Sequence, residues 1–301
     1  MSIHPIYVII SKEEVDNMKY TFINANSDLG VHIDGSNKGP NLITKNFLNY
    51  EKITIEKTNT TKKSKDKSDL AKNLDSVNSF NKLLFDKITN ILNENKFPIT
   101  IGGDHSIAIA SALASNNYHK NIGIIWIDAH TDYNTFDTTI TGNLHGLPLA
   151  AINGYKTNDL TKHLTNNYIN PQNTVIVGAR SIDELELVNL KNNNVTVFTT
   201  EDIKKEGINS IMKKAFEIAG NNTEGIHISY DLDYIDPIDA PGVSVPEENG
   251  IDIQTAIDTM EYIKHNKHLI KSLDLVEYNP EFDIKDKTLN YAIKLINTFL
   301  K

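Results

Sequence analysis

The chain has 301 residues, of which 39% are hydrophobic and 23% charged. That length and balance suit one large α/β unit or two small ones, and a single domain over 1–301 is the expectation. The 30 basic and 39 acidic residues leave a formal charge of −9, and cysteine is absent. The acidic balance opposes nucleic-acid binding and suits a site for cations. Without thiolates, any metal must be held by histidines and carboxylates. No stretch reaches membrane-span length, so no membrane partner is expected. The N-terminal stretch has one short apolar run with no basic segment before it. It does not resemble a signal peptide, and a cytoplasmic location is the expectation.

Residues 1–19 have no clear role, although 6–10 (IYVII) could be an edge strand or a packing arm. The first strand proper is predicted at 20–24, followed by a polar, Gly-containing loop over 27–40. Residues 57–69 are rich in Lys and Thr with no apolar position, which predicts an exposed loop. Leu74, Val77, Phe80, Leu84, Ile88, Ile91 and Leu92 recur at three- and four-residue steps and predict a long amphipathic helix. Pro98 marks its exit.

A strand–helix alternation follows. Strands are predicted at 99–101, 122–127, 175–177, 195–198, 226–229 and 273–276. The helices between and after them are predicted at 106–114, from about 183, and at 208–219, 252–265 and 289–299. Such alternation means a mainly parallel sheet flanked by helices. The run Ile122, Ile124, Ile125, Trp126 and Ile127 is apolar on both faces, as a strand inside such a sheet must be.

Unusual chemistry follows these strands. Asp128, His130 and Asp132 succeed the apolar run, and at i, i+2, i+4 they share one side of an extended backbone. Gly102-Gly103-Asp104-His105-Ser106 follows strand 99–101, and its glycines permit a sharp turn that delivers His105 at a helix head. Asp231 and Asp233 follow strand 226–229, and Glu277 follows strand 273–276. Arg180 and Asp183 follow strand 175–177. His145 lies in a Gly-flanked loop. Singly, each has an ordinary reading: a helix-start histidine, loop acids, a surface glutamate. His227 reads as a satisfied core histidine. His4, His32, His119, His163, His265 and His268 receive no role.

Together they do not read as ordinary, because a parallel sheet brings all these strand ends to one side, where α/β folds place ligands. Carboxylates packed that closely repel unless cations are present. Mixed Asp/His ligation favours hard or borderline divalent ions such as Mn²⁺, and six ligands suit two ions rather than one. Two bridged ions would acidify a shared water to hydroxide near neutral pH, which points to metal-assisted hydrolysis.

GGDHS, DAHTD and SYDLDYIDP, in this order, resemble the metal-binding signatures of the ureohydrolase (arginase/agmatinase) family, over about 20–300. The resemblance implies a three-layer α/β/α fold with a largely parallel eight-stranded sheet. It implies two Mn²⁺ per subunit. His105 and Asp132 would bind the first ion, His130 and Asp233 the second, and Asp128 and Asp231 both. It implies attack of a metal-bridging hydroxide on a guanidinium carbon, with Asp132 passing a proton, Glu277 pairing with the guanidinium and His145 shuttling protons. It also implies a homo-oligomer, a trimer or hexamer.

Within the family the arginase branch is the more similar. The stretch 132–148 resembles the loop that recognises the α-carboxylate of arginine, through Asn134, Thr141 and Asn143. The stretch 178–186 resembles the one whose acids, Asp183 and Glu186, meet its α-amino group. Agmatine lacks the carboxylate and would leave the first loop without a use. One departure bears on the substrate: Val245 stands where arginases carry a threonine near the guanidinium. Agmatine, another guanidino acid or formiminoglutamate is therefore the alternative substrate. The intact ligand positions and His145 oppose a non-catalytic member of the fold.

Overall fold

The computed structural model describes residues 18–57 and 69–301. The strand or arm expected at 6–10, and nearly all of the loop expected at 57–69, lie outside the described residues. In chain order the elements are β1 (Tyr20–Asn26), α1 (Gly39–Thr44), β2 (Glu51–Glu56), α2 (Leu74–Asn93), β3 (Phe97–Gly102), α3 (Ala108–His119), β4 (Gly123–Ile127), α4 (Pro148–Ile152), β5 (Thr174–Ala179), α5 (Glu184–Asn193), β6 (Thr196–Thr199), α6 (Thr200–Glu206), α7 (Ile208–Ala219), β7 (Ile226–Asp231), α8 (Ile253–His265), β8 (Ile270–Val276) and α9 (Lys287–Leu300).

The strands form one eight-stranded sheet in the order β2-β1-β3-β8-β7-β4-β5-β6. Every pairing is parallel. Side chains alternate between two cores, one on each face of the sheet. In β4, Ile125 and Ile127 face the core filled by α7, α8 and α9. Ile124 and Trp126 of the same strand face the core filled by α2, α3 and α4. All of β4 is buried, so neither face has room for a polar side chain until the strand ends at Asp128. Hydrophobic burial thus fixes the register, and the register fixes where the acids emerge.

The prediction differs from the structure where polarity or proline hid an element. Strand β2 was not anticipated. Its sequence EKITIE has two isoleucines, and only Ile55 is buried, because the strand pairs with β1 alone at the sheet's edge, where charge is protective. Pro98 lies inside β3, not before it. It sits opposite Thr21 of β1, and pairing with β8 begins only at Ile99. Its missing N–H therefore falls where β8 needs none. Helix α6 was also missed, although Thr199 and Asp202 cap it reciprocally: Thr199 N donates to Asp202 Oδ2 at 2.8 Å and Asp202 N to Thr199 Oγ1 at 3.2 Å.

The turn after β3 is packed against β1 and β8. Gly103 N donates to Ala25 O at 3.1 Å and its carbonyl accepts from Glu277 N at 2.7 Å. A Cβ on Gly103 would stand 1.8 Å from the carbonyl oxygen of Ser27. Gly103→Ala is expected to destabilise the fold by about 1–3 kcal/mol, the usual range for overpacking. The buried Trp126 gives a fluorescence signal for a denaturant titration. An unchanged midpoint would contradict the close packing of this turn.

Candidate functional site

Strands β3, β8, β7 and β4 are contiguous in the sheet, and each carries a motif just beyond its carboxyl end. One local device shapes three of the motifs. An aspartate accepts the backbone N–H two residues on, which turns the chain and aims the next side chains. Asp104 Oδ1 accepts from Ser106 N at 2.9 Å. Asp128 Oδ1 accepts from His130 N at 2.6 Å. Asp231 Oδ1 accepts from Asp233 N at 2.8 Å. Asp104 also takes Gly30 N through Oδ2 at 3.1 Å, tying the 27–40 loop to the site.

The six anticipated ligands converge. His105 Nδ1 is 3.1 Å from Asp128 Oδ2, 3.2 Å from Asp132 Oδ2 and 3.0 Å from Asp231 Oδ2. Its other nitrogen meets Ser229 Oγ at 2.9 Å, and the ring stacks on Trp126 with centroids 3.9 Å apart. Trp126 Nε1 in turn donates to Asp128 Oδ2 at 2.8 Å. On the other side, His130 Nδ1 is 2.9 Å from Asp233 Oδ2 and 3.5 Å from Asp128 Oδ1. The two oxygens of Asp128 thus face different histidines. Two groups with metal-ligand spacing result, His105/Asp128/Asp132 and Asp128/His130/Asp233, with Asp128 in common. Asp231 lies on the His105 side, and its second oxygen is held by Asp233 N.

This donor set fits divalent cations. His105 Nδ1 is buried and makes no hydrogen bond of acceptable geometry, although three carboxylate oxygens surround it. One N–H can point at only one of the three, whereas a cation between them serves all. The charges say the same. Burial raises the carboxyl pKa of Asp231 and Asp233, and neighbouring acids add to it: Asp231 stands well above the usual carboxylate range and Asp233 is pushed up to about 6. Burial opposes protonation of His105 and His130, but the surrounding carboxylates outweigh it and hold both well above the ordinary imidazole value. Burial also works against ionising Asp128, yet the two histidines bring its carboxyl below the usual range.

A cavity of about 300 Å³ opens over this cluster. Asn134, Thr141, Asn143, Asp183, Glu186, His145 and Glu277 all line it, with Val245 in the same wall. Glu277 is held on two sides by one oxygen: Oε1 accepts from His105 N at 2.9 Å and meets His145 Nδ1 at 3.1 Å. Its Oε2 is buried without a partner. Burial lowers the His145 imidazole pKa, but the bond to Glu277 and the negative charges of Glu277, Asp132 and Asp104 together more than reverse it, so the net shift is upward. Asp183 Oδ2 accepts from Asn134 Nδ2 at 3.0 Å. Glu186 differs from its neighbours, because both its oxygens are engaged by the backbone, Oε1 by Tyr133 N at 2.6 Å and Oε2 by Asp183 N at 3.2 Å. Burial pushes its carboxyl up to about 7.

Several polar residues in or beside the cavity wall were not anticipated. His32, given no role by sequence, lines the cavity beside Asn143. Thr139 and Ser181 also line it. Glu247 lies with Oε1 3.4 Å from His130 Nε2 and accepts from Ser181 Oγ at 3.1 Å. Ser181 and Thr139 fall inside the stretches already singled out; His32 and Glu247 lie in loops with no periodicity to read. His227 is satisfied in the core by Ser272 Oγ at 2.7 Å and Asp274 Oδ2 at 3.0 Å.

The shifts fix how the metal-free protein responds to pH. Asp233 moves from 3.8 to about 6. In that window the folded chain keeps a proton that the unfolded chain has lost, so stability falls as pH rises. His105 and His130, raised well above 6.5, continue the fall above that pH. The chelated protein is therefore expected to melt at a lower temperature at about pH 8 than at about pH 5, and Mn²⁺ is expected to restore most of the loss at the higher pH. A melting temperature that rises over this range without metal would contradict the assigned charges.

A family model described as Arginase family matches residues 18–301. The arginase of Bacillus subtilis (strain 168) is 38% identical over 232 residues, which cover 76% of this chain and 77% of that relative. Among solved structures, the native arginase of Bacillus caldovelox is similar with a TM-score of 0.88 at 30% identity, over 94% of this chain and 98% of that one. The arginase of Entamoeba histolytica, solved in complex with L-ornithine, gives a TM-score of 0.86 at 31% identity, over 94% of this chain and 97% of that one. With the parallel eight-stranded sheet and the His/Asp cluster at its strand ends, this chain belongs to the arginase family.

Proposed function

We propose that the chain hydrolyses L-arginine to L-ornithine and urea with two Mn²⁺ held at the strand ends. The observation that carries this reading is the pair of His/Asp groups sharing Asp128, beside the unpartnered Oε2 of Glu277 in one cavity. His105, Asp128, Asp132 and Asp231 would hold one ion, and Asp128, His130 and Asp233 the other, with Asp231 reaching both as the family resemblance implies. Two such ions supply a water acidified enough to act as a nucleophile near neutral pH.

The protein's own groups position the substrate and move its protons. Glu277 has Oε1 fixed by His105 N and His145, which leaves its buried Oε2 for a charge-assisted contact with the guanidinium. Asp132 takes the proton of the attacking water and passes it to the departing amine as the C–N bond breaks. His145 is bonded to Glu277 through Nδ1, so its remaining nitrogen exchanges protons with the cavity. Asn134, Thr141 and Asn143 meet the α-carboxylate, and Asp183 meets the α-amino group. Glu186 acts on the same end through the backbone it holds, its oxygens being engaged by Tyr133 N and Asp183 N.

One observation favours a second reading. Val245 puts an apolar surface in the cavity wall where a hydroxyl is usual in arginases. A sibling substrate, such as agmatine, another guanidino acid or formiminoglutamate, is the alternative.

Urea release from Mn²⁺-loaded protein, with arginine and agmatine at equal concentration, separates the two. Urea from arginine is expected; urea from agmatine alone, or from neither, would overturn the arginine reading. Asp128→Ala is expected to abolish metal binding and urea release while the circular dichroism of the sheet persists. Full activity in that variant would contradict a shared ligand. Glu277→Gln keeps the shape but loses the charge facing the guanidinium. A fall in kcat/KM of roughly a hundredfold or more is expected, and an unchanged value would remove Glu277 from the contact.

A further inference from the structure

The 27–40 loop reaches the cavity through His32. Its Nδ1 lies 2.9 Å from Asn143 Nδ2. Asn143 is 5% exposed, and its Oδ1 is buried with no hydrogen-bond partner. Both residues line the cavity over the metal cluster.

An asparagine amide has a donor end and an acceptor end of nearly equal size, and a neutral imidazole nitrogen is a donor or an acceptor according to its tautomer. The His32–Asn143 contact can therefore be satisfied in two ways. With a bare Nδ1, Asn143 donates Nδ2 to it and turns a carbonyl oxygen toward the cavity. With a proton on Nδ1, Asn143 accepts through Oδ1 and turns its NH₂ toward the cavity. The first state leaves a buried acceptor that no carboxylate can satisfy. The second offers a carboxylate two N–H donors. One buried amide thus has opposite preferences, and the imidazole beside it selects between them.

We propose that His32 is a positioning residue for substrate selection: a proton on Nδ1 orients the Asn143 amide so that Nδ2 meets a substrate carboxylate. This rests on the assignment of Asn143 to the α-carboxylate of a guanidino acid. His32 touches neither the reacting carbon nor the ions. Its effect is confined to the carboxylate end, so it acts on binding and leaves the chemical step alone.

The test compares arginine with agmatine, which differ by the carboxylate, on Mn²⁺-loaded full-length protein. Agmatine is read as a substrate or, if it is not turned over, as a competitive inhibitor. His32→Leu removes the hydrogen bond at similar bulk. It is expected to raise the KM for arginine roughly fivefold, the scale of one net hydrogen bond, with kcat within about twofold and agmatine unaffected. His32→Asn places an amide near the position of Nδ1 and is expected to recover most of the preference. A preference that survives in His32→Leu overturns the proposal alone. So does a KM that rises equally for both compounds, or a loss that His32→Asn does not recover, since either assigns the effect to shape. A wild-type protein indifferent to the carboxylate overturns this proposal together with the substrate assignment on which it rests.

Discussion

Four aspartates, Asp128, Asp132, Asp231 and Asp233, are buried within reach of two imidazoles, and their mutual repulsion is the constraint around which the rest of the structure is arranged. Charges in that setting cannot stay ionised together without compensation. The two histidines supply part of it. Asp128, which faces both, is the acid whose ionised form is favoured, while Asp231 and Asp233 hold their protons more tightly. A pair of divalent cations would supply the remainder. The same cations would reverse the protonation bias and leave all four carboxylates ionised as ligands.

Holding such a cluster requires a rigid frame, and the frame is the sheet. The four contiguous strands behind the site are buried along almost their whole length. Beyond their ends the backbone departs from regular geometry. Asp132 and Glu277 both adopt left-handed φ values, 48° and 67°, although neither is a glycine. Strain of that kind persists only where the surroundings over-determine it. For Glu277 the restraints are visible: its N–H is bonded to Gly103 O at 2.7 Å, and its carboxylate to the N–H of His105 and the ring of His145. The turn carrying His105 and the strand end carrying Glu277 are thereby locked to each other.

The sheet and the clustering of His and Asp side chains were legible in the sequence because burial and strand-end spacing both leave periodic traces. The apolar run ending at Asp128 gave β4 and its direction, and the i, i+2 spacing of acids gave a shared side. What escaped was governed by contacts distant in sequence. Strand β2 has too little apolar surface to be noticed alone and exists through its pairing with β1. Pro98 suggested a boundary, but the stagger between β3 and β8 lets it sit inside the strand. His32 gave no signal because its partner, Asn143, is 111 positions away. Glu186 was legible as a wall residue, while the bonding of both its oxygens to backbone was not.

The central claim is that one carboxylate, Asp128, joins two metal sites into a single centre. Electron paramagnetic resonance of the protein titrated with Mn²⁺ tests this directly. Two ions per chain, giving the spectrum of an exchange-coupled pair, are the predicted result. A single ion per chain, or two ions with independent spectra, would show that the His105 and His130 groups do not form one centre.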